Sequence, residues 1–108
     1  MVNWRKAEQA ADAAEEAAMA AAELTRQAQG ASYWARRVRV AADHAWKCQD
    51  GTRYTAEEVR RAEEARDYAI EQAVIWARRA ERACNDAAVK VNTAAYLSWE
   101  VNYARRQA

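Results

Sequence analysis

Residues 50–58 read DGTRYTAEE, and this stretch near the middle of the chain decides the fold. Thr55 and Glu58 have the spacing of a capping box, in which each side chain accepts a hydrogen bond from the other residue's backbone amide. A helix is therefore predicted to start at 55. Gly51 suits the left-handed backbone position that often follows the last turn of a helix, so the preceding helix is predicted to end near Gln49.

Downstream of this turn, small and apolar side chains recur at helical spacing as far as the end of the chain. Counted at 100° per residue, the stripe comprises Ala62, Ala65, Ala69, Ala73, Trp76, Ala80, Ala83, Ala87, Val91, Ala94, Ser98 and Val101. The stripe keeps its phase through Asn85 and Asp86, a pair that would suit a turn. This continuity favours one helix over 55–107, about 80 Å long at 1.5 Å per residue.

The first half of the chain is predicted as two helical segments, near 3–29 and 32–49. The polar stripes before and after Gly30 differ in phase by about 140° on the same helical counting. We therefore expect either a kink at Gly30 or a true turn there, with Ser32 as the cap of the next segment.

Two all-α architectures remain open at this point. The first is a long antiparallel helical hairpin, and the second is a compact up-down four-helix bundle with turns near Gly30, Gly51 and Asn85. In the hairpin, Gly30 would face Trp76, and the alanine-dense arm 7–28 would face the arm that carries the large C-terminal residues. Small side chains opposite large ones allow close packing, which favours the hairpin.

Alanine supplies 30 of the 108 residues, and proline is absent. With abundant Glu, Arg and Gln, the sequence consists largely of strong helix formers, so we predict an all-α chain that forms one domain over 1–108. A core of methyl groups is weak, because each buried CH2 contributes about 0.8 kcal/mol. We therefore expect self-association through alanine-rich faces, as a homodimer or a higher bundle.

Charge and hydropathy exclude several classes of partner. The formal net charge is +1, whereas a dedicated nucleic-acid binder concentrates positive charge on one face. No run approaches the roughly 18 apolar residues of a membrane-spanning helix, and acidic residues interrupt the N-terminal stretch before a secretory signal could form. These patterns predict no nucleic-acid or membrane partner and a cytoplasmic location with reduced thiols.

His44 is the single histidine, so chemistry that needs two histidines is excluded. In a hairpin, Ala62 and Ala65 would lie near it, and an imidazole above small side chains is an arrangement that can ligate a haem iron. Cys48 and Cys84 would lie about 40 Å apart along the helix axis in either architecture, too far for a disulfide. Both are predicted to be buried as small hydrophobic residues.

Tyr96, Trp99 and Tyr103 form a stripe on the side of the long helix away from its alanine seam. This stripe is either a second packing face of an oligomer or a recognition surface for a protein partner. The chain contains no glycine-rich phosphate loop and no nucleophile elbow. We therefore predict that it is not an enzyme.

In local style, residues 50–65 resemble those of computationally designed helical proteins. The resemblance rests on a clean turn, a capping box and repeated Glu, Arg and Ala, and it implies no particular function. Three functional hypotheses follow from the sequence: a non-catalytic assembly or scaffold protein, a bundle that binds a haem-like cofactor through His44, and a small adaptor that displays the aromatic stripe.

Overall fold

Two long helices make up the part of the protein that the structure describes. The computed structural model describes residues 4–51 and 53–107, and within them α1 runs Trp4–Asp50 over 47 residues and α2 runs Ala56–Gln107 over 52 residues. No strand occurs in this part of the chain. The all-α prediction is confirmed, and two long helices joined by a single short turn have the connectivity of a hairpin; Asn3, the predicted start of the first helix, lies outside the described residues.

The predicted capping box at the start of α2 is confirmed. The Glu58 amide donates to Thr55 Oγ1 at 3.2 Å, and the Thr55 amide donates to Glu58 Oε1 at 3.5 Å. The Val59 amide also donates to the Thr55 carbonyl at 3.0 Å, which closes the first turn. Two otherwise unpaired amides are thereby satisfied, which fixes where α2 begins.

The prediction of a left-handed Gly51 was wrong, because no glycine in the described part of the chain has a positive φ. A Cβ atom built on Gly51 would meet only ordinary contacts, the closest being the Lys47 carbonyl oxygen at 3.4 Å. The turn therefore reverses the chain without using the conformational freedom of glycine.

The predicted break at Gly30 was also wrong, since Gly30 lies inside α1. The pairing of Gly30 with Trp76 is confirmed, because a Cβ atom on Gly30 would collide with the Trp76 indole ring. Glycine inside a helix costs about 1 kcal/mol relative to alanine. Here it makes room for a large aromatic side chain, and the helix continues.

The four-helix alternative with turns at Gly30 and Asn85 fails at both positions. Asn85 lies inside α2, and one turn further along the helix Lys90 forms an ion pair with Asp86 at 3.3 Å. The predicted continuity of the helix through this pair is confirmed.

The chain divides into two compact units. The first consists of Met1–Arg26 with Glu81–Ala108, and the second consists of Gln27–Ala80, which includes the turn. In the second unit the contacts run antiparallel: Trp34 packs edge-on against Tyr68 with ring centroids 5.8 Å apart, and the side-chain Nε2 of Gln49 donates to Glu63 Oε1 at 2.6 Å.

The inner face of α2 follows a 3.5-residue period. Most of its buried and half-buried positions recur in steps of three and four: Val59, Ala62, Arg66, Ala69, Ala73, Trp76, Ala80, Ala83, Ala87, Lys90, Ala94, Leu97 and Val101. The other half-buried positions each lie one residue from this series: Glu63, Gln72, Ile75 and Glu100. The stripe counted at 100° per residue matches this set except at Ala65, Val91 and Ser98, which are exposed. At each error the stripe lies one residue from the seam position, and at two of them the seam position is a charged residue, Arg66 or Lys90, which a stripe of small and apolar side chains leaves out.

Candidate functional site

One face of α1 close to the turn carries a histidine and a cysteine one helical turn apart. His44 and Cys48 are four residues apart, and this spacing makes them neighbours on a helix surface. Cys48 Sγ lies 3.6 Å from His44 Nε2, within hydrogen-bonding distance for sulfur. The imidazole is exposed, whereas Cys48 is 1 % exposed, so the pair reaches from the interior of the second unit to its surface.

The thiol of Cys48 is held by close packing. Cys48 forms a buried cluster with Ala45 and Ala62, and Val59 packs against it. Among the described residues, Cys48 is the largest side chain that is almost fully buried. The sulfur therefore lies in a tightly packed, apolar environment beside the imidazole.

The turn between the helices places the Tyr54 ring beside His44. The Tyr54 ring meets the His44 ring edge-on, with centroids 6.3 Å apart and an interplanar angle of 85°. Such edge-to-face pairs contribute about 0.5–1.5 kcal/mol beyond the area they bury. Tyr54 therefore restricts the orientation of the imidazole.

These residues line an open pocket of about 320 Å³. Its lining consists of His44, Cys48, Tyr54, Glu58, Arg61, Ala62 and Ala65. The volume is near the lower end of the range for small-molecule sites, about 300–1,000 Å³. Arg61 pairs with Glu57 at 3.2 Å, as the helical spacing of the two residues indicates, so part of its charge is already balanced.

Sequence reasoning located this site in part. The expectation that Ala62 and Ala65 lie near His44 is confirmed, since all three line the same pocket. The contact between His44 and Cys48 is readable from their four-residue spacing. Tyr54 was missed, because no periodicity places a residue of an irregular turn. Ligation of haem by His44 stays a prediction.

The two cysteines have different environments. Both are free thiols, in agreement with the prediction that they do not pair. Cys48 is buried as predicted, but the prediction was wrong for Cys84, which is exposed. Ala83 and Ala87 occupy the inner face of α2, so Cys84 is turned about 100° away from it.

The aromatic stripe lies in the first unit, on the outside of α2. Tyr96, Trp99 and Tyr103 are each more than half exposed. Their rings stack in sequence, with centroids 6.2 Å apart for the first pair and 5.2 Å for the second. Glu100 accepts a hydrogen bond from the phenol of Tyr96 and also repels the phenolate, and the two effects raise the pKa of Tyr96 above its usual value.

Within residues 4–51 and 53–107, neither helix contains a stretch long and apolar enough to cross a bilayer. In the same residues, no three His, Cys, Asp or Glu side chains are grouped so as to hold a metal ion. Comparison of the chain with protein-family models, curated proteins and solved structures gave no significant match.

Proposed function

We propose that the chain is a non-catalytic helical assembly module that pairs with a second copy of itself. The proposal rests on one observation: the large apolar side chains, which would gain most from burial, lie on the surface. The buried residues of the described chain are seven alanines and Cys48, while large side chains such as Trp4, Trp46, Val89 and Trp99 are more than half exposed. A fold that buries methyl groups and exposes indoles gains little from its own interior, because burial energy scales with apolar area.

The alanines of α1 supply a face for the second copy. Ala13, Ala17 and Ala20 are buried, but Ala11, Ala14, Ala18 and Ala21 are exposed. These four repeat in steps of three and four, the spacing of a second coiled-coil seam beside the first. Small side chains at such a seam allow a neighbouring helix to approach closely.

The outer face of α2 in the same unit supplies large side chains for that approach. Trp99 and Tyr103 are 58 % and 52 % exposed. Covering about 100 Å² of each would contribute about 2–3 kcal/mol per residue at 25 cal/mol per Å². The first unit thus carries both a small-residue face and a large-residue face, so two copies can cover each other in a four-helix bundle.

Sedimentation equilibrium over a range of concentrations tests this proposal. We expect dimers or larger species at micromolar concentration, and dissociation when Ala18→Glu places a charge on the exposed alanine face. Met19→Glu is the matched control, because it adds the same side chain one residue away, where the helix surface is exposed and carries Glu15, Glu16 and Glu23. A chain that remains monomeric at millimolar concentration would refute self-association, and equal effects of the two substitutions would refute the role of the alanine face.

A small adaptor is the second candidate function, and the stacked stripe Tyr96, Trp99 and Tyr103 favours it. Stacked aromatic residues that are already ordered lose little conformational entropy on binding, and they are frequent hot spots of interfaces. Trp99→Ala and Tyr103→Ala should leave the helicity of the monomer unchanged under either function. Loss of helicity in the dissociated chain would instead make these residues part of its own packing.

Haem binding through His44 is the third candidate, supported by the open pocket beside the imidazole. The visible spectrum after addition of haem tests it directly. A Soret shift that disappears in His44→Ala would support this function, while no shift, or an equal shift in that variant, would remove it.

A further inference from the structure

We propose that His44 and Cys48 form a two-residue chelate for one zinc ion, or another thiophilic cation that prefers tetrahedral geometry. The ion would bind in the pocket near the turn, with water in its remaining coordination positions. This site lies entirely in the second unit, and it does not depend on the assembly function proposed above.

The distance between the two ligand atoms carries the inference. Zinc bonds to sulfur at about 2.3 Å and to imidazole nitrogen at about 2.0–2.1 Å, with tetrahedral angles. These values place the nitrogen and sulfur about 3.5–3.6 Å apart. Cys48 Sγ and His44 Nε2 are 3.6 Å apart, so the separation of the two ligand atoms matches that of a tetrahedral chelate.

The packing around the pair preorganises this geometry. Ala45 and Ala62 pack against Cys48 in the buried cluster, and the edge-on contact with Tyr54 restricts the orientation of the His44 imidazole. Because the buried Cys48 is already ordered and Tyr54 limits the motion of the exposed imidazole, less conformational entropy is lost on binding than for two free side chains. Residues four apart on an unsupported helix would not have this restriction.

Charge balance also favours a cation here. Binding converts the Cys48 thiol to a thiolate and releases its proton to solvent, as zinc ligation requires. A thiolate is costly at a site that is 1 % exposed, unless a positive charge lies against it. The Glu58 carboxylate lines the same pocket and adds negative potential, while Arg61, the lining residue that opposes a cation, is paired with Glu57.

The chain supplies two ligands and no third within residues 4–51 and 53–107. Glu58 is committed to the Thr55 cap through contacts of 3.1 and 3.5 Å. The remaining positions would therefore be filled by water from the pocket, as in zinc sites that keep an exchangeable water. Since Cys48 lies below the surface, we expect one ion per chain rather than an ion shared by two copies.

Titration of the reduced full-length chain with Co²⁺ alone tests the site. Tetrahedral cobalt–thiolate coordination gives a near-ultraviolet charge-transfer band and strong visible d–d bands. We expect both with one ion per chain, and their loss on addition of Zn²⁺. His44→Ala and Cys48→Ala should each weaken binding by about a hundredfold or more, because changes in the outer shell alone cost about 10–100-fold.

Cys84→Ser is the matched control, since Cys84 is an exposed thiol in the other unit. It should bind Co²⁺ with unchanged affinity and spectrum. His44→Ala alters an exposed side chain and should keep the helical circular dichroism, so the proposal can be decided even if Cys48→Ala unfolds. Absence of the charge-transfer band in the unaltered chain, its persistence in His44→Ala, its loss in Cys84→Ser, or two chains per ion would each overturn the proposal.

Discussion

The contact between Gly30 and Trp76 can be measured as a coupling energy. A Cβ atom on Gly30 would lie 2.5 Å from Trp76 Cζ3 and 2.8 Å from Cδ2, and closer still to Cε3. Real Cβ atoms do not approach ring carbons to such distances, so Gly30→Ala must displace the indole. The ring is not free to move without loss, because the Arg79 guanidinium lies 5.0 Å from its centroid.

Two opposing effects set the size of the change. Alanine inside a helix is favoured over glycine by about 1 kcal/mol, and overpacking a fitted contact costs about 1–3 kcal/mol. In the unaltered chain, Gly30→Ala should therefore lower the free energy of unfolding by about 0–2 kcal/mol. In the Trp76→Ala background the obstacle is gone, and the same substitution should raise it by about 1 kcal/mol.

The assay is urea unfolding followed by far-ultraviolet circular dichroism, with all variants at one chain concentration. The four chains of the cycle should give a coupling energy of about 1–3 kcal/mol. Ala35→Gly provides the control, because Ala35 is an exposed position of α1 and should cost about 1 kcal/mol in both backgrounds. Trp76→Leu replaces Trp76→Ala if the latter is too unstable to measure.

Equal effects of Gly30→Ala in both backgrounds would contradict a steric coupling between Gly30 and Trp76. Such a result would mean that the indole does not fill the space above the glycine.

Three further changes test separate parts of the structure. Thr55→Ala should lower the free energy of unfolding by about 1 kcal/mol through loss of the cap, while Thr55→Ser should leave it nearly unchanged in thermal melts; equal effects would contradict the capping role. Glu100→Gln should bring the pKa of Tyr96 down toward its usual value of about 10, as measured from the ring-carbon chemical shift by NMR. Because the pKa of Tyr96 is raised in the folded chain, any stability from this contact is present below pH 10 and is lost as the pH rises through the raised value. Leu97→Ala should lower the free energy of unfolding in urea by about 1–2 kcal/mol because Leu97 is half-buried, whereas Ser98→Ala should not lower it. A larger loss for Ser98→Ala than for Leu97→Ala would mean that Ser98, and not Leu97, lies on the inner face.

Features that depend on local hydrogen bonding were predictable from the sequence. The capping box at Thr55 needs a threonine and a glutamate three residues apart, and the structure has both hydrogen bonds. The continuity of α2 through Asn85 followed from the unbroken phase of its apolar stripe. Antiparallel counting from the turn then placed Gly30 opposite Trp76.

The effect of tertiary contacts on local conformation and burial was not predictable in the same way. The local preference of glycine alone predicts a helix break at Gly30. The helix continues there because the absence of a side chain makes room for the Trp76 ring. The period of the seam has the same origin: two packed helices keep their contact in register at 3.5 residues per turn, which buries Arg66 and Lys90 in part while Ala65 and Val91 face solvent.

Long side chains explain why charged residues can occupy that seam. Arg66 and Lys90 have side chains that are 33 % and 40 % exposed, so their aliphatic stems cover neighbouring alanines while their charged ends reach water. Arg66 contacts Asp67 at 3.1 Å, and Lys90 pairs with Asp86. A stripe defined by apolar residue type cannot identify such positions.

The candidate site and the proposed interface differ in how the sequence encodes them. The chelate is encoded locally, by a histidine and a cysteine one turn apart, and packing only fixes their geometry. The proposed interface is inferred from the composition, because a seam of alanines leaves the large side chains outside. Since His44 and Cys48 belong to one compact unit and Ala18 and Trp99 belong to the other, substitutions at either place should leave the other property intact. Loss of cobalt binding in Ala18→Glu, or dissociation in His44→Ala, would show that the two properties are coupled and would require an assembly in which the second copy completes the pocket.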